Sequence, residues 1–145
     1  MRLYFAADHA GYQLKEALKH WANRQQHDII DLGTYSEEPT DYPDNTVPLV
    51  KAMKETPDSF GILVCGSGIG MAIAANRYKG IRAFVCHDLA EARRARIHNN
   101  ANVICFGARF IDATIAGDCL SVFLESAFEG GRHERRVQKL DDLKT

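Results

Sequence analysis

The chain has no cysteine pair at zinc-finger spacing, no excess of either charge and no apolar run long enough to cross a membrane. Its four cysteines, at 65, 86, 105 and 119, are too sparse for a secreted disulfide scaffold and form no CxxC pair. Lys and Arg number 18 against 19 Asp and Glu, a net charge of −1. Nothing in that balance calls for a nucleic acid or an anionic membrane as partner. No stretch approaches the ~20 apolar residues of a transmembrane helix. The apolar run before Asp8 is too short for the core of a secretory signal. These absences predict a cytoplasmic protein whose partner is a small molecule.

With 145 residues and 46% hydrophobic content, the chain suits one domain, residues 1–145, that buries roughly two thirds of its unfolded surface. Short apolar runs recur as LYFAA (3–7), DIIDL (28–32), FGILVC (60–65), IRAFVC (81–86) and NVICFG (102–107). Between them, helical periodicity covers 12–22, 45–54, 70–78, 89–97 and 114–128, and a last helix is predicted over 134–144. Strands without a polar face, alternating with helices, predict an α/β fold with a parallel sheet covered on both sides. Cys86, Cys105 and Cys119 read as small buried hydrophobes within it.

Ligands of open parallel sheets bind outside the carboxyl ends of the strands. Here those ends are polar: Asp8-His9, Gly33-Thr34, Cys65-Gly66-Ser67, His87-Asp88 and Gly107-Ala108-Arg109. A loop over 34–44 brings Asp41 and Tyr42 toward the same edge.

The stretch VCGSGIG (64–70) joins the third strand to a helix. A dinucleotide fingerprint would need a third glycine where Met71 stands and would follow the first strand. Asp88 is at a tolerable distance for its acidic partner, so that reading is weak but open. A Walker loop is excluded because no G-K-[ST] follows. What remains is a row of amide donors, Gly66, Ser67, Gly68, Ile69 and Gly70, able to hold a phosphate or a developing oxyanion. Ser67 adds a hydroxyl. Cys65 is either a packed strand-end cysteine or a thiol placed to act as base or nucleophile.

The blocks AADHAG (6–11), DLGT (31–34), TDYP (40–43), VCGSGIGMAIAANRYKGIRA (64–83), HNNANVICFGAR (98–109) and FEGGRHERRV (128–137) resemble, in this order, the B-type ribose-5-phosphate isomerases and galactose-6-phosphate isomerase subunits. The resemblance implies a three-layer α/β/α sandwich with a five-stranded, Rossmann-like parallel sheet and an extra C-terminal helix. It also implies an aldose–ketose isomerase, without cofactor or metal, that interconverts D-ribose 5-phosphate and D-ribulose 5-phosphate through an enediol. Carried over by residue, Cys65 is the base, His98 the ring-opening acid and Ser67 a hydroxyl beside the reacting carbonyl. Asp8, His9, Tyr42, Gly66 to Gly70, Asn99, Arg109, Arg132 and Arg136 are substrate contacts. Met71 stands where one branch of the family has a glutamate base, which places the chain in the cysteine branch. On their own residues, Arg132 and Arg136 would read as a solvated basic face and His98 as a histidine favouring a helix C-terminus.

The returning helix 89–97 should leave His98 and Asn99 at the amino edge, far from Cys65 of the same chain. A homodimer or dimer of dimers with shared sites is therefore expected. Rival readings are an isomerase of galactose 6-phosphate, allose 6-phosphate or a tetrulose phosphate, and a non-catalytic nucleotide-binding module on the same sheet.

Overall fold

The five apolar runs become strands of one parallel sheet in the computed structural model, which describes residues 1–143. They are β1 (Arg2–Ala7), β2 (Asp28–Asp31), β3 (Phe60–Cys65), β4 (Ala83–Val85) and β5 (Val103–Gly107), ordered β2-β1-β3-β5-β4. The three central strands are buried along nearly their whole length, as strands covered on both faces must be. On one face lie α1 (Tyr12–Arg24), α4 (Leu89–Asn99) and α5 (Ala113–Glu125), contributing Leu14, Leu18, Ala92, Ala95, Leu120 and Phe123 to the core. On the other lie α2 (Tyr42–Glu55) and α3 (Ile69–Ala75), contributing Leu49, Val50, Met53, Met71 and Ala72. The additional C-terminal helix α6 (Arg132–Asp141) rests against α4. Among the described residues no helix is long and apolar enough to cross a membrane.

Element boundaries depart from the sequence pattern for identifiable reasons. The loop expected over 34–44 ends at Asp41, because Pro43 sits in the first turn of α2, where its fixed φ suits a helix and its missing N–H costs nothing. Pro48, one turn further in, does remove a helical hydrogen bond. The third helix stops at Ala75 rather than 78, and β4 is cut to three residues. Asn76 explains both: its Nδ2 donates to the Ala83 carbonyl at 2.9 Å and its Oδ1 accepts from the Ala83 amide at 2.7 Å. A side chain thus pairs with the edge strand. The last helix begins at Arg132 rather than 134 and ends at Asp141, and residue 144 of the expected span lies outside the described residues.

Because α1 leaves β1 to one face and α3 leaves the neighbouring β3 to the other, the carboxyl edge opens into a crevice between these strands. One wall is fixed by a buried ion pair. The Lys15 side chain is fully buried, and its Nζ donates to both Asp31 oxygens, at 2.7 and 2.9 Å, and to the Thr34 carbonyl at 2.5 Å. Lys19 Nζ, at 2.6 Å, and the Gly33 amide, at 2.9 Å, complete the shell of Asp31. Burial pushes the Asp31 carboxyl up, but the hydrogen bonds from Lys15, Lys19 and Gly33 outweigh it and hold the group below its ordinary value.

A carboxylate depressed in the folded state contributes stability above its unfolded value that is lost as pH falls through its folded value. Asp31→Asn is expected to destabilise the fold by roughly 3 kcal/mol at neutral pH, since it strands the buried Lys15 ammonium. It should also flatten the loss of stability as pH falls below about 4, the ordinary carboxylate value. Urea unfolding of both proteins across that range checks this; an equally steep acid loss in the variant would show that Asp31 is not a source of it.

Candidate active site

Cys65 is the last residue of β3 and only 4% exposed. The chain then turns through Gly66, Ser67 and Gly68 into α3. Gly68 adopts φ +79°, and a β-carbon there would meet the Phe106 carbonyl carbon at 3.1 Å, so the turn needs glycine twice over. The turn aims the Gly68 amide at Cys65 Sγ, 3.1 Å away. Ser67 Oγ accepts from the Ile69 amide at 3.2 Å, which leaves its hydroxyl hydrogen free to donate. Two of the five loop amides expected to face a ligand are therefore already engaged. Among the described residues no group accepts from the amides of Ser67 and Gly70. Met71 is fully buried in the core and takes no part.

The neighbouring strand ends close around this loop. A β-carbon on Gly70 would lie 2.5 Å from Tyr42 Cζ, so the Tyr42 ring covers the start of α3. The Arg109 guanidinium overlies Gly66, with Nη1 3.2 Å from where a β-carbon would stand, and has no carboxylate partner among the described residues. Asp8 is buried, and its Oδ1 accepts from the Gly11 amide at 3.0 Å. His9 Nδ1 accepts from the Thr40 amide at 3.1 Å. That bond directs the proton of a neutral His9 ring to Nε2. Asp8, His9, Tyr42, Cys65, Gly66 to Gly70 and Arg109 thus come together at the carboxyl edge. Cys86, Cys105 and Cys119 are buried, and burial pushes each thiol up, which suits packing and not chemistry.

His98, Asn99, Arg132 and Arg136 gather elsewhere. His98 is in the last turn of α4 and stacks on His133 of α6, with ring centroids 4.5 Å apart and planes at 19°. His133 is 5% exposed and its Nε2 has no hydrogen-bond partner among the described residues. Burial first, then the nearby His98 and Arg132, hold its imidazole below the ordinary value. Arg132 and Arg136 are exposed and four residues apart on α6, with no ion pair among the described residues. Arg96 anchors this end. Its Nη1 donates to Asn100 Oδ1 at 2.8 Å and to the Ala101 carbonyl at 2.7 Å. The Glu129 amide donates to the Ile97 carbonyl at 3.1 Å.

This second group lies at the amino edge. The Asn102 carbonyl, three residues beyond Asn99, accepts from Gly61 at the start of β3, and the rise of a strand puts Gly61 about 13 Å from Cys65. A cavity of about 910 Å³ opens beside it, walled by Asn99, Arg82, Phe84, Leu140 and Leu143. It does not reach Cys65, and its size alone assigns it no chemistry. The sequence pattern missed His133 and Glu129; the spacing of His133 and Val137, both buried, was the available sign that His133 faces inward.

The model of the Ribose/Galactose Isomerase family matches residues 3–140. A curated relative named ribose-5-phosphate isomerase B, from Escherichia coli K12, is 39% identical over 140 residues, covering 96% of this chain and 93% of its own. Among solved structures, a ribose 5-phosphate isomerase from Thermotoga maritima superposes with a TM-score of 0.95 at 46% identity, covering 98% of both chains. Ribose-5-phosphate isomerase B from Mycoplasma genitalium, solved with bound ribulose-5-phosphate, gives 0.92 at 37% identity, covering 97% of this chain and 93% of the other. With the fold matched nearly end to end, and with a glycine loop whose spacing departs from the dinucleotide fingerprint, this chain belongs to the ribose/galactose isomerase family.

Proposed function

We propose that the protein interconverts D-ribose 5-phosphate and D-ribulose 5-phosphate, with Cys65 as the base and His98 of a second copy as the ring-opening acid. The observation that carries the reading is the position of Cys65: a buried thiol at the end of a central strand, with unengaged amide donors from its own loop beside it. The relative crystallised with ribulose-5-phosphate supports the substrate class.

The open-chain aldose loses a proton from C2 to the Cys65 thiolate, and the C–H electrons move toward C1 while negative charge builds on the C1 oxygen. The amides of Ser67 and Gly70 and the Ser67 hydroxyl are the donors for that oxygen. Returning the proton to C1, and moving the O2 proton to O1, gives the ketose, so atoms and charge balance without a cofactor. During transfer, the Gly68 amide stays on the sulfur. Before this, the cyclic sugar must open: His98 gives a proton to the ring oxygen as the C1 hydroxyl loses one to solvent water, and the C1–ring oxygen bond breaks. Arg132 and Arg136 form a fork for the phosphate, and Arg109 and His9 Nε2–H add donors.

The sharing of sites rests on the roughly one-strand separation of the two groups within a chain. Ile69 and Ile73, four apart on α3, together with Phe110, expose apolar surface at the carboxyl edge, while Leu140 and Leu143 do so near the amino edge. A two-fold interface joining these ends would bury both patches and complete two sites at once.

Cys65→Ala is expected to lower kcat by at least about 100-fold, the scale of a general base, while phosphosugar binding measured by calorimetry persists. Binding of NAD or ATP with no isomerase activity in the parent protein would instead favour a nucleotide module. Cys65→Ala and His98→Ala chains, unfolded together and reassembled, should recover about a quarter of the parent activity, because half the dimers are hybrids with one intact site each. Reassembled hybrids that stay inactive would sink the shared site. A panel of pentose, hexose and tetrose phosphates should give the highest kcat/KM for ribose 5-phosphate; a preference for galactose 6-phosphate or allose 6-phosphate would reassign the substrate.

A further inference from the structure

His98, Glu129 and His133 each present a ligand atom, and these atoms lie within 4.8 Å of one another. Three separate elements hold them. His98 ends α4, His133 opens α6, and Glu129 lies in the connection before α6, its amide bonded to the carbonyl of Ile97, next to His98. The turn that follows uses positive φ at Gly130 and Gly131, and the His133 amide donates to the Gly130 carbonyl at 3.0 Å, which folds α6 back over α4. The decisive feature is His133. A buried imidazole nitrogen ordinarily has a partner, yet His133 Nε2 has none among the described residues, and its residue is 5% exposed.

We propose that His98, Glu129 and His133 form a binding site for a divalent first-row metal ion of the zinc type. Two imidazoles and one carboxylate are a favourable donor set for Zn²⁺, with metal–ligand distances near 2.0–2.1 Å and a fourth position left for water. Ligand atoms around such an ion stand about 3.4 Å apart, so the cluster closes by little more than 1 Å. Glu129 is exposed and His98 half-buried, so both can move. The stacked rings must fan open from their 19° angle so that their edges converge on the ion. The ion supplies the partner that His133 Nε2 lacks. It also engages His98, so on the proposed isomerase reading it inhibits ring opening and is not a cofactor.

The test separates this site from the thiol. In a Cys65→Ser background, calorimetric titration with Zn²⁺ is expected to find one site per chain, and Co²⁺ in its place should give the visible absorption of an ion held by nitrogen and oxygen. Glu129→Gln and His133→Gln should each weaken binding by at least about tenfold, the scale on which even outer partners of a metal count. Glu129 is at the surface, so its variant reads the site without threatening the fold. Binding weaker than about 1 mM, or binding unchanged in both variants, overturns the proposal. With Cys65 intact, Glu129→Gln should keep its metal-free kcat/KM and lose sensitivity to Zn²⁺ in parallel with affinity. Inhibition that persists after binding is lost would break the link to catalysis while the calorimetry still decides the site.

Discussion

A parallel sheet has a direction, and most of what this molecule can do follows from it. Every strand arrives at one edge, and every helix that follows carries the chain back to the other. A residue in a strand-end loop and a residue in the last turn of a helix are therefore held apart by the length of a strand. Cys65 belongs to the first kind and His98 to the second. No loop adjustment within one chain closes that gap, because both positions are set by core packing on opposite faces.

The same directionality concentrates unengaged donors at the carboxyl edge. Loop amides there lack strand partners, and the turn at Gly68 spends one of them on the Cys65 sulfur and leaves others facing outward. The cationic groups, by contrast, are divided: Arg109 stands at one edge, Arg132 and Arg136 at the other. Lys15 and Asp31 mark the limit of the exposed chemistry, since a fully buried ammonium bound on all sides fixes the loop after β2 and has no capacity left for a ligand.

The architecture was legible because hydrophobic period distinguishes strands from helices, and the strands here lack a polar face. Cys65 and its glycine loop were legible for a different reason: their spacing excluded a Walker loop and departed from the dinucleotide fingerprint, which left a row of amides beside a thiol. What sequence concealed were contacts made by backbone or by shape. Nothing in the residue order shows that Thr40 hands its amide to His9, or that Ser67 engages Ile69. His133 was overlooked between Arg132 and Glu134 because its spacing from Val137 was the one sign of its burial; the stacking on His98 and the unpartnered Nε2 appear only in the fold. The boundaries of α3 and β4 moved for a similar reason, since a helix-compatible asparagine turned out to serve the sheet.

That asparagine also bears on what the margin of the sheet can recruit. Edge strands offer unpaired amides and carbonyls that recruit a foreign strand. By occupying both backbone groups of Ala83, Asn76 stoppers the free margin of the sheet where β4 begins. A foreign strand finds no free amide or carbonyl at Ala83, so the ribbon is not lengthened there.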